Sequence, residues 1–364
     1  MTRSCARSAA LLVLLAFALV RPSAAAADGR FRPVDVMTRN LYLGADLAPA
    51  IAAGSPQDLA IAATGIWRQV QATDFPQRAR ALAAEIRESA PLLVGLQEVA
   101  LWRTGPPDGP PSLGGTPATH VVYDFLEILL RELANGHLYE PVVVQQEADL
   151  ESPTTLGFDV RLTMRDVILV RRGGDVRVAS RQSANFAHNL ILPIAGGLAS
   201  VTSTRGWTAV DVLAKNQRFR FVNTHLEAFS NFFRCAQSLE LLDGPLATTS
   251  LPIVLVGDLN SAPDDPGFTE DGSPFNDTNP YEILTAAGLI DTWTEVHRRN
   301  PGNTCCNEAD LRNVRPTYVQ RIDHVLLSEG DTFGSELVGD TSRDRTRGGL
   351  WPSDHAGVVA TVAP

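Results

Sequence analysis

The segment Pro252-Ile253-Val254-Leu255-Val256-Gly257-Asp258-Leu259-Asn260 decides how the chain is read. A short apolar run rich in β-branched residues is the pattern of a strand buried on both faces. Asp258 and Asn260 are two residues apart, so in a continuing strand they share one side. A carboxylate and an amide leaving a buried strand together can bind a cation or hold a reacting group. Asp and Asn also favour turns, so the pair alone fits a plain strand exit equally well.

The other strand ends decide. Arg218 to His225 (RFRFVNTH) alternates, with Phe219, Phe221, Asn223 and His225 on one face and His225 at the end. Pro33 to Asn40 reads as a strand closing on Asn40. Leu92 to Glu98 reads as a buried strand closing on a carboxylate. Before it runs a helix that Asp74 caps and Pro76 opens, with Ala79, Leu82, Ala83 and Ile86 as its apolar stripe. Arg321 to Leu327 is a strand carrying Asp323. Ser353-Asp354-His355 opens the last one, Ala356 to Val362.

Elsewhere the pattern is plainer. Leu41 to Ala72 is alanine-rich and reads as helical, with turns at Gly44, Gly54 and Pro56. Trp102 to Thr119 reads as an exposed Pro/Gly loop, and Val121 to Leu133 as a helix. Strands are expected over 138–146, 164–171, 176–181 and 207–214. Leu190 to Gly197 reads as a mobile surface loop, and Asn231 to Leu242 as a helix. Ser261 to Thr278 is an acidic loop. Asp264, Asp265, Glu270, Asp271 and Asp277 have no Ca²⁺-loop spacing there, which favours a solvated loop.

The chain has 364 residues, 44% hydrophobic and 20% charged, an ordinary globular balance. Residues 1–27 read as a secretory leader: Arg3 and Arg7, an apolar run from Leu11 to Val20, then Pro22 and small residues to Ala27. Cleavage near Ala26 or Ala27 leaves one domain, 28–364, expected to be exported and without a stable membrane anchor. It also leaves 28 basic against 41 acidic residues, a net charge of −13. That charge gives no general attraction to a polyanion. Of the remaining cysteines, Cys235 is expected to pair with Cys305 or Cys306, because adjacent cysteines bridge only with strain.

Collected, the strand ends are Asn40, Glu98, Asn223, His225, Asp258, Asn260, Asp323, Asp354 and His355. Oxygen ligands of this kind suit Mg²⁺, or Mn²⁺, rather than zinc. Metal-assisted attack on a phosphate ester needs such a set: a cation on the phosphate, a base for water, and donors for the developing charge.

The sequence resembles the endonuclease/exonuclease/phosphatase superfamily, the DNase I-like proteins. The matching motifs are TRN at Thr38–Asn40, GLQEV at Gly95–Val99, NTHLE at Asn223–Glu227, GDLNSAP at Gly257–Pro263, RIDHVLLS at Arg321–Ser328 and SDH at Ser353–His355. They occur in the family's order from Val34 to the end of the chain. The resemblance implies an α+β fold, a four-layer α/β/β/α sandwich of two mainly antiparallel sheets flanked by helices. It implies that Glu98 is the main metal ligand with Asn40 beside it, and that Asp354 completes a metal site. Asp258 would orient or activate water, and Asn260, with Asn223, would bind the phosphate. Asp323 would fix the tautomer of His355, an acid/base, and His225 would contact the phosphate.

The expected protein is therefore a secreted, Mg²⁺-dependent phosphoesterase, a phosphodiesterase acting on nucleic acid or phospholipid as a monomer. A phosphatase of a small substrate, or a binding protein that has kept the fold, are the alternatives. A nuclease would need a basic surface, for which Arg39, Arg165, Arg205 and Arg234 are candidates. A lipid enzyme would need exposed apolar loops, for which LILPIAGG and the phenylalanines Phe229, Phe232 and Phe233 are candidates. The segment from Leu41 to Phe75, longer than the family pattern needs, is placed to wall the cleft.

Overall fold

The apolar runs and their polar ends fold into sixteen strands and seven α-helices among the described residues. The computed structural model describes residues 32–134, 137–265 and 273–364. The leader, and Glu270 and Asp271 of the acidic loop, lie outside them. The strands begin with β1 (Val34–Asn40), β2 (Leu93–Gln97), β3 (Leu101–Gly105), β4 (His120–Asp124), β5 (Tyr139–Pro153) and β6 (Asp159–Arg171). Next come β7 (Val176–Asn185), β8 (Leu190–Ile194), β9 (Ala199–Ser203), β10 (Gly206–Ala214) and β11 (Gln217–His225). The last are β12 (Ile253–Asp258), β13 (Ile290–Asp291), β14 (Asp323–Leu327), β15 (Asp331–Val338) and β16 (Gly357–Ala363). The helices are α1 (Ala48–Ile51), α2 (Pro56–Ala72), α3 (Phe75–Ser89), α4 (Phe125–Glu132), α5 (Asn231–Asp243), α6 (Pro280–Ala286) and α7 (Thr292–Val296).

Two sheets form the centre. One runs β15-β16-β1-β2-β6-β3-β4, with β5 also paired to β6; the other runs β13-β14-β12-β11-β10-β7. Only β1/β2 and β11/β12 are parallel; the other pairings are antiparallel. Val36, Leu93 and Ile168 of the first sheet pack on Phe219, Phe221, Val254 and Val256 of the second. The outer face of the first sheet is covered by α2, α3 and α4 through Trp67, Leu82, Ile86 and Phe125. The outer face of the second is covered through Leu241 and Leu284 of α5 and α6. This is the four-layer α+β sandwich of the DNase I-like fold.

Local chemistry sets the joints. Ser55 caps α2 by accepting from Asp58 N, and Asp74 caps α3 by accepting from Gln77 N. Gly95 lies where the two sheets pack closely on each other. A Cβ there would stand 2.5 Å from Val256 and 2.6 Å from Asn223 Oδ1.

Four expectations fail for identifiable reasons. The Pro/Gly loop does not begin at Trp102: Leu101–Gly105 is a strand between β6 and β4, and Trp102 is buried. The helix expected from Val121 begins only at Phe125. Asp124 caps it by accepting from Leu126 N at 3.0 Å and Glu127 N at 3.2 Å, leaving Val121 and Tyr123 to the strand. Leu190–Ile194 is a strand of the β8–β9 hairpin, because Pro193 sits on a two-stranded ribbon that spares its missing donor. Cys305 and Cys306 are joined to each other. Cys235 keeps its thiol, buried on α5 beside Asn231 and Thr278. β15, which carries little apolar alternation, has no counterpart in the sequence reading.

Candidate active site

Topology brings the chemistry to one end of the sandwich. β1 and β2 are parallel, so Asn40 and Gln97 end side by side and Glu98 follows. β11 and β12 are parallel, so His225 and Asp258 end side by side. β14 runs antiparallel to β12 and therefore begins there, with Asp323 opposite Asp258. His355 lies just before β16, whose chain runs antiparallel to β1 and so starts at the same end.

The side chains interlock. His355 Nδ1 lies 2.8 Å from Asp323 Oδ2 and 3.8 Å from Asp258 Oδ2. Asp258 Oδ2 accepts from Asn40 Nδ2 at 3.0 Å, and Asp258 Oδ1 accepts from Asn260 N at 2.9 Å. His225 Nε2 stands 3.5 Å from Asp258 Oδ2. On the other side, Glu98 Oε2 accepts from Leu43 N at 2.7 Å. Asp354 Oδ1 lies 3.9 Å from His355 Nε2. Glu98, His225, Asp258, Asn260, Asp354 and His355 all face one chamber.

Burial makes these charges act on each other strongly. Asp258 is pushed up to about 6 by burial and by Asp323. Asp354 is also pushed up to about 6 by burial, against the pull of His355. For His355 burial favours the neutral ring, but Asp323, Asp354 and Asp258 outweigh it and hold the imidazole well above its ordinary value. His225 moves the opposite way, well below its ordinary value, through burial and the neighbouring Arg205 and His355. The two histidines are thus split: one charged, one neutral at neutral pH.

Asn223 has a different place from the one expected. It is fully buried between the sheets, its Oδ1 accepting from Gln97 Nε2 at 2.5 Å and its Nδ2 donating to Leu96 O at 3.2 Å. Both ends of the amide are used, so Asn223 ties the sheets together and does not face the chamber. Asn260 does face it, with Nδ2 anchored on Leu226 O at 2.9 Å. His324 is structural: it contacts Arg321 and Ser261 O, and burial with Arg321 lowers it to about 4.

Four residues around the site were given no place in it by the sequence. Arg205 Nη1 lies 2.9 Å from His225 Nδ1. Arg78 is fully buried and donates to Leu41 O, Tyr42 O and Pro352 O, joining the segment after β1 to the one before Asp354. Glu147 and Asp166 lie within reach of His225, both buried and with their carboxylate oxygens making no hydrogen bond. Only Arg205 had been noticed, as a basic surface residue; none of the four basic candidates is one. Arg39 pairs with buried Glu85, Arg165 with Asp124, Arg205 with His225 and Glu147, and Arg234 donates to Asn260 O.

The donor set fits a hard divalent cation. Glu98, Asn40 and Asp354 supply oxygen only, and the buried Asp323 Oδ1 makes no hydrogen bond. Asn40 fits least directly, since its Oδ1 already accepts from Tyr42 N at 2.8 Å and its Nδ2 serves Asp258.

The whole chamber, acidic floor included, has a volume of about 400 Å³, and away from the acids its surroundings are mostly apolar. The long segment after β1 forms one wall through Leu47, Ile51, Ala63 and Ile66, and the β8–β9 hairpin forms another through Leu192, Ile194 and Val201. Gly196 N donates to Ala53 O at 3.1 Å, closing the two walls together.

Comparison with known proteins places the fold in a family. A family model described as the Endonuclease/Exonuclease/phosphatase family matches residues 65–355. An endonuclease/exonuclease/phosphatase family protein from Bacteroides thetaiotaomicron is similar in fold (TM-score 0.56, 15% identity, 91% of this chain and 98% of that one). A mannosyl-6-phosphatase of the same organism gives TM-score 0.56 at 16% identity over 90% of this chain and 99% of that one. D. rerio TDP2 complexed with a single-strand DNA product gives 0.52 at 14% identity over 91% and 99%. Curated proteins give no match.

Proposed function

The chain belongs to the endonuclease/exonuclease/phosphatase family, hydrolases of phosphate esters, and on that premise we propose that it is an exported, metal-dependent phosphodiesterase. The observation that carries the reading is the His355–Asp323 pair at 2.8 Å, facing Asp258 across the chamber floor from Glu98. Export is supported by the composition of residues 1–27.

Glu98 and Asp354, with Asn40 beside them, would hold Mg²⁺ or Mn²⁺, which when bound neutralises phosphate oxygens. Asp258, pushed up to about 6, is ionised at neutral pH yet basic enough to take a proton from water. As the water oxygen bonds to phosphorus, the bond from phosphorus to the leaving alcohol breaks. Imidazolium His355, oriented through Nδ1 by Asp323, gives its Nε2 proton to the departing oxygen. His225, neutral with its one hydrogen on Nε2, and the Asn260 amide would donate to the non-bridging oxygens.

The test is hydrolysis of bis(4-nitrophenyl) phosphate with Mg²⁺ by the parent, Glu98→Ala and His355→Ala. Each substitution is expected to lower the rate by about 10²-fold or more. Rates within tenfold of the parent in both would remove the assignment.

A further inference from the structure

We infer that the substrate is a lipid phosphate ester, its phosphate on the acidic floor and one aliphatic chain in the chamber behind it. The inference rests on the phosphoesterase reading and adds the substrate class.

The chamber is continuous with the floor that Glu98, Asp258 and His355 form. Its far walls are aliphatic: Leu47, Ile51 and Ile66 on one side, Leu162, Leu192 and Val201 on the others. Asp46, Glu151, Ser152, Thr202 and Ser203 also line the chamber, but aliphatic side chains make up most of its walls, which favours a ligand with a hydrocarbon part. A methylene occupies about the volume of a water molecule, roughly 30 Å³. The 400 Å³ of the whole chamber, floor included, therefore takes a phosphate group and several chain carbons.

The walls are fixed in place. α2 is held at Thr64, whose Oγ1 accepts from Thr155 N at 2.8 Å, and at Gln69, whose Nε2 donates to Ala309 O at 2.9 Å. At the roof, Gly196 lies so close to Gly54 O that a Cβ would meet it at 2.4 Å. The rim is also apolar. Phe229, which borders the chamber, is 54% exposed; on the hairpin Ile191 is 63% and Leu198 76% exposed. Such a rim suits contact with a lipid surface.

The cations tell against a nucleic acid. Among the described residues, the arginines nearest the floor (Arg39, Arg205, Arg234) are buried and committed to internal partners. A protein binding a polyanion needs such charges at its surface.

The experiment uses the purified chain with Mg²⁺ and three probes: bis(4-nitrophenyl) phosphate, mixed phosphatidylcholine and sphingomyelin vesicles, and plasmid DNA. Ala63→Phe fills the chamber from α2. Leu192→Asp puts a charge on its hairpin wall at a half-buried position that tolerates it. Both variants are expected to lower vesicle hydrolysis by about tenfold or more and leave the small diester within about twofold. Hydrolysis of the small diester with no action on vesicles overturns the inference and leaves the phosphoesterase reading standing. So does vesicle hydrolysis indifferent to both variants, or nicking of plasmid in preference to lipid. Silence on all three probes overturns the phosphoesterase reading itself and the inference with it.

Discussion

Arg205 Nη1 meets His225 Nδ1 at 2.9 Å, and this contact determines which nitrogen of the imidazole carries the proton. A guanidinium can only donate, so Nδ1 accepts and the hydrogen sits on Nε2, the nitrogen 3.5 Å from Asp258 Oδ2. Arg205 also opposes protonation of the ring, keeping it neutral.

Arg205→Met therefore lets His225 choose the other tautomer. The rate on a small phosphodiester is expected to fall by about tenfold or more with KM changed less than kcat. The ¹⁵N shifts of His225 should move toward a tautomer mixture. Unchanged ¹⁵N shifts would contradict the positioning role even if the rate fell.

Glu147 and Asp166 carry a pH dependence of opposite sign to the usual carboxylate. Burial holds both well above the ordinary range, with Asp166 adding to the rise of Glu147. The folded state thus binds more protons than the unfolded one. Stability is fullest below the unfolded values near 4 and falls as pH rises through the folded ones. Glu147→Gln removes one of the titrating groups. Its Tm should decline less than the parent's between about pH 5 and 8, and lie a few degrees higher at the upper end. Parallel Tm–pH curves would contradict the account.

Arg78 serves carbonyls on two segments that sequence separates by more than three hundred residues. Arg78→Met leaves Leu41 O, Tyr42 O and Pro352 O without that donor. The expected loss is about 3 kcal/mol or more. Urea unfolding measures it, and a change below about 1 kcal/mol would contradict it.

Gly95→Ala tests the contact between the sheets. The added methyl meets Val256 and Asn223 Oδ1. Overpacking of this kind costs about 1–3 kcal/mol, read as a lowered Tm. A neutral substitution would mean that the sheets separate more easily than their packing implies.

The strand ends were legible because each is local: an apolar run of five or six residues followed by Asn, Glu, His or Asp. Glu98, His225, Asp258, Asp323 and His355 could be named before any contact was known. What was not legible is whatever depends on a distant partner. Trp102 looks like the start of a Pro/Gly loop until β6 is beside it. Leu190–Ile194 looks like a loop until β9 pairs with it. Asn223 sits in an active-site motif, yet Gln97 and Leu96 consume its amide. The four arginines read as a basic surface carry no local sign that Glu85, Asp124, His225 and Asn260 hold them inside. The apolar chamber is likewise made by two segments, after β1 and between β7 and β10, that meet only in the fold.

In the mechanism proposed here the strand-end cluster hydrolyses phosphate esters with a divalent cation on Glu98 and Asp354. The most direct measurement strips the protein with EDTA and follows bis(4-nitrophenyl) phosphate hydrolysis as Mg²⁺ or Mn²⁺ is added back. No activity is expected without the cation, and saturable recovery with it. In Glu98→Gln the recovery should need about tenfold or more cation. Full activity after EDTA, or recovery at the same concentration in Glu98→Gln, would contradict it.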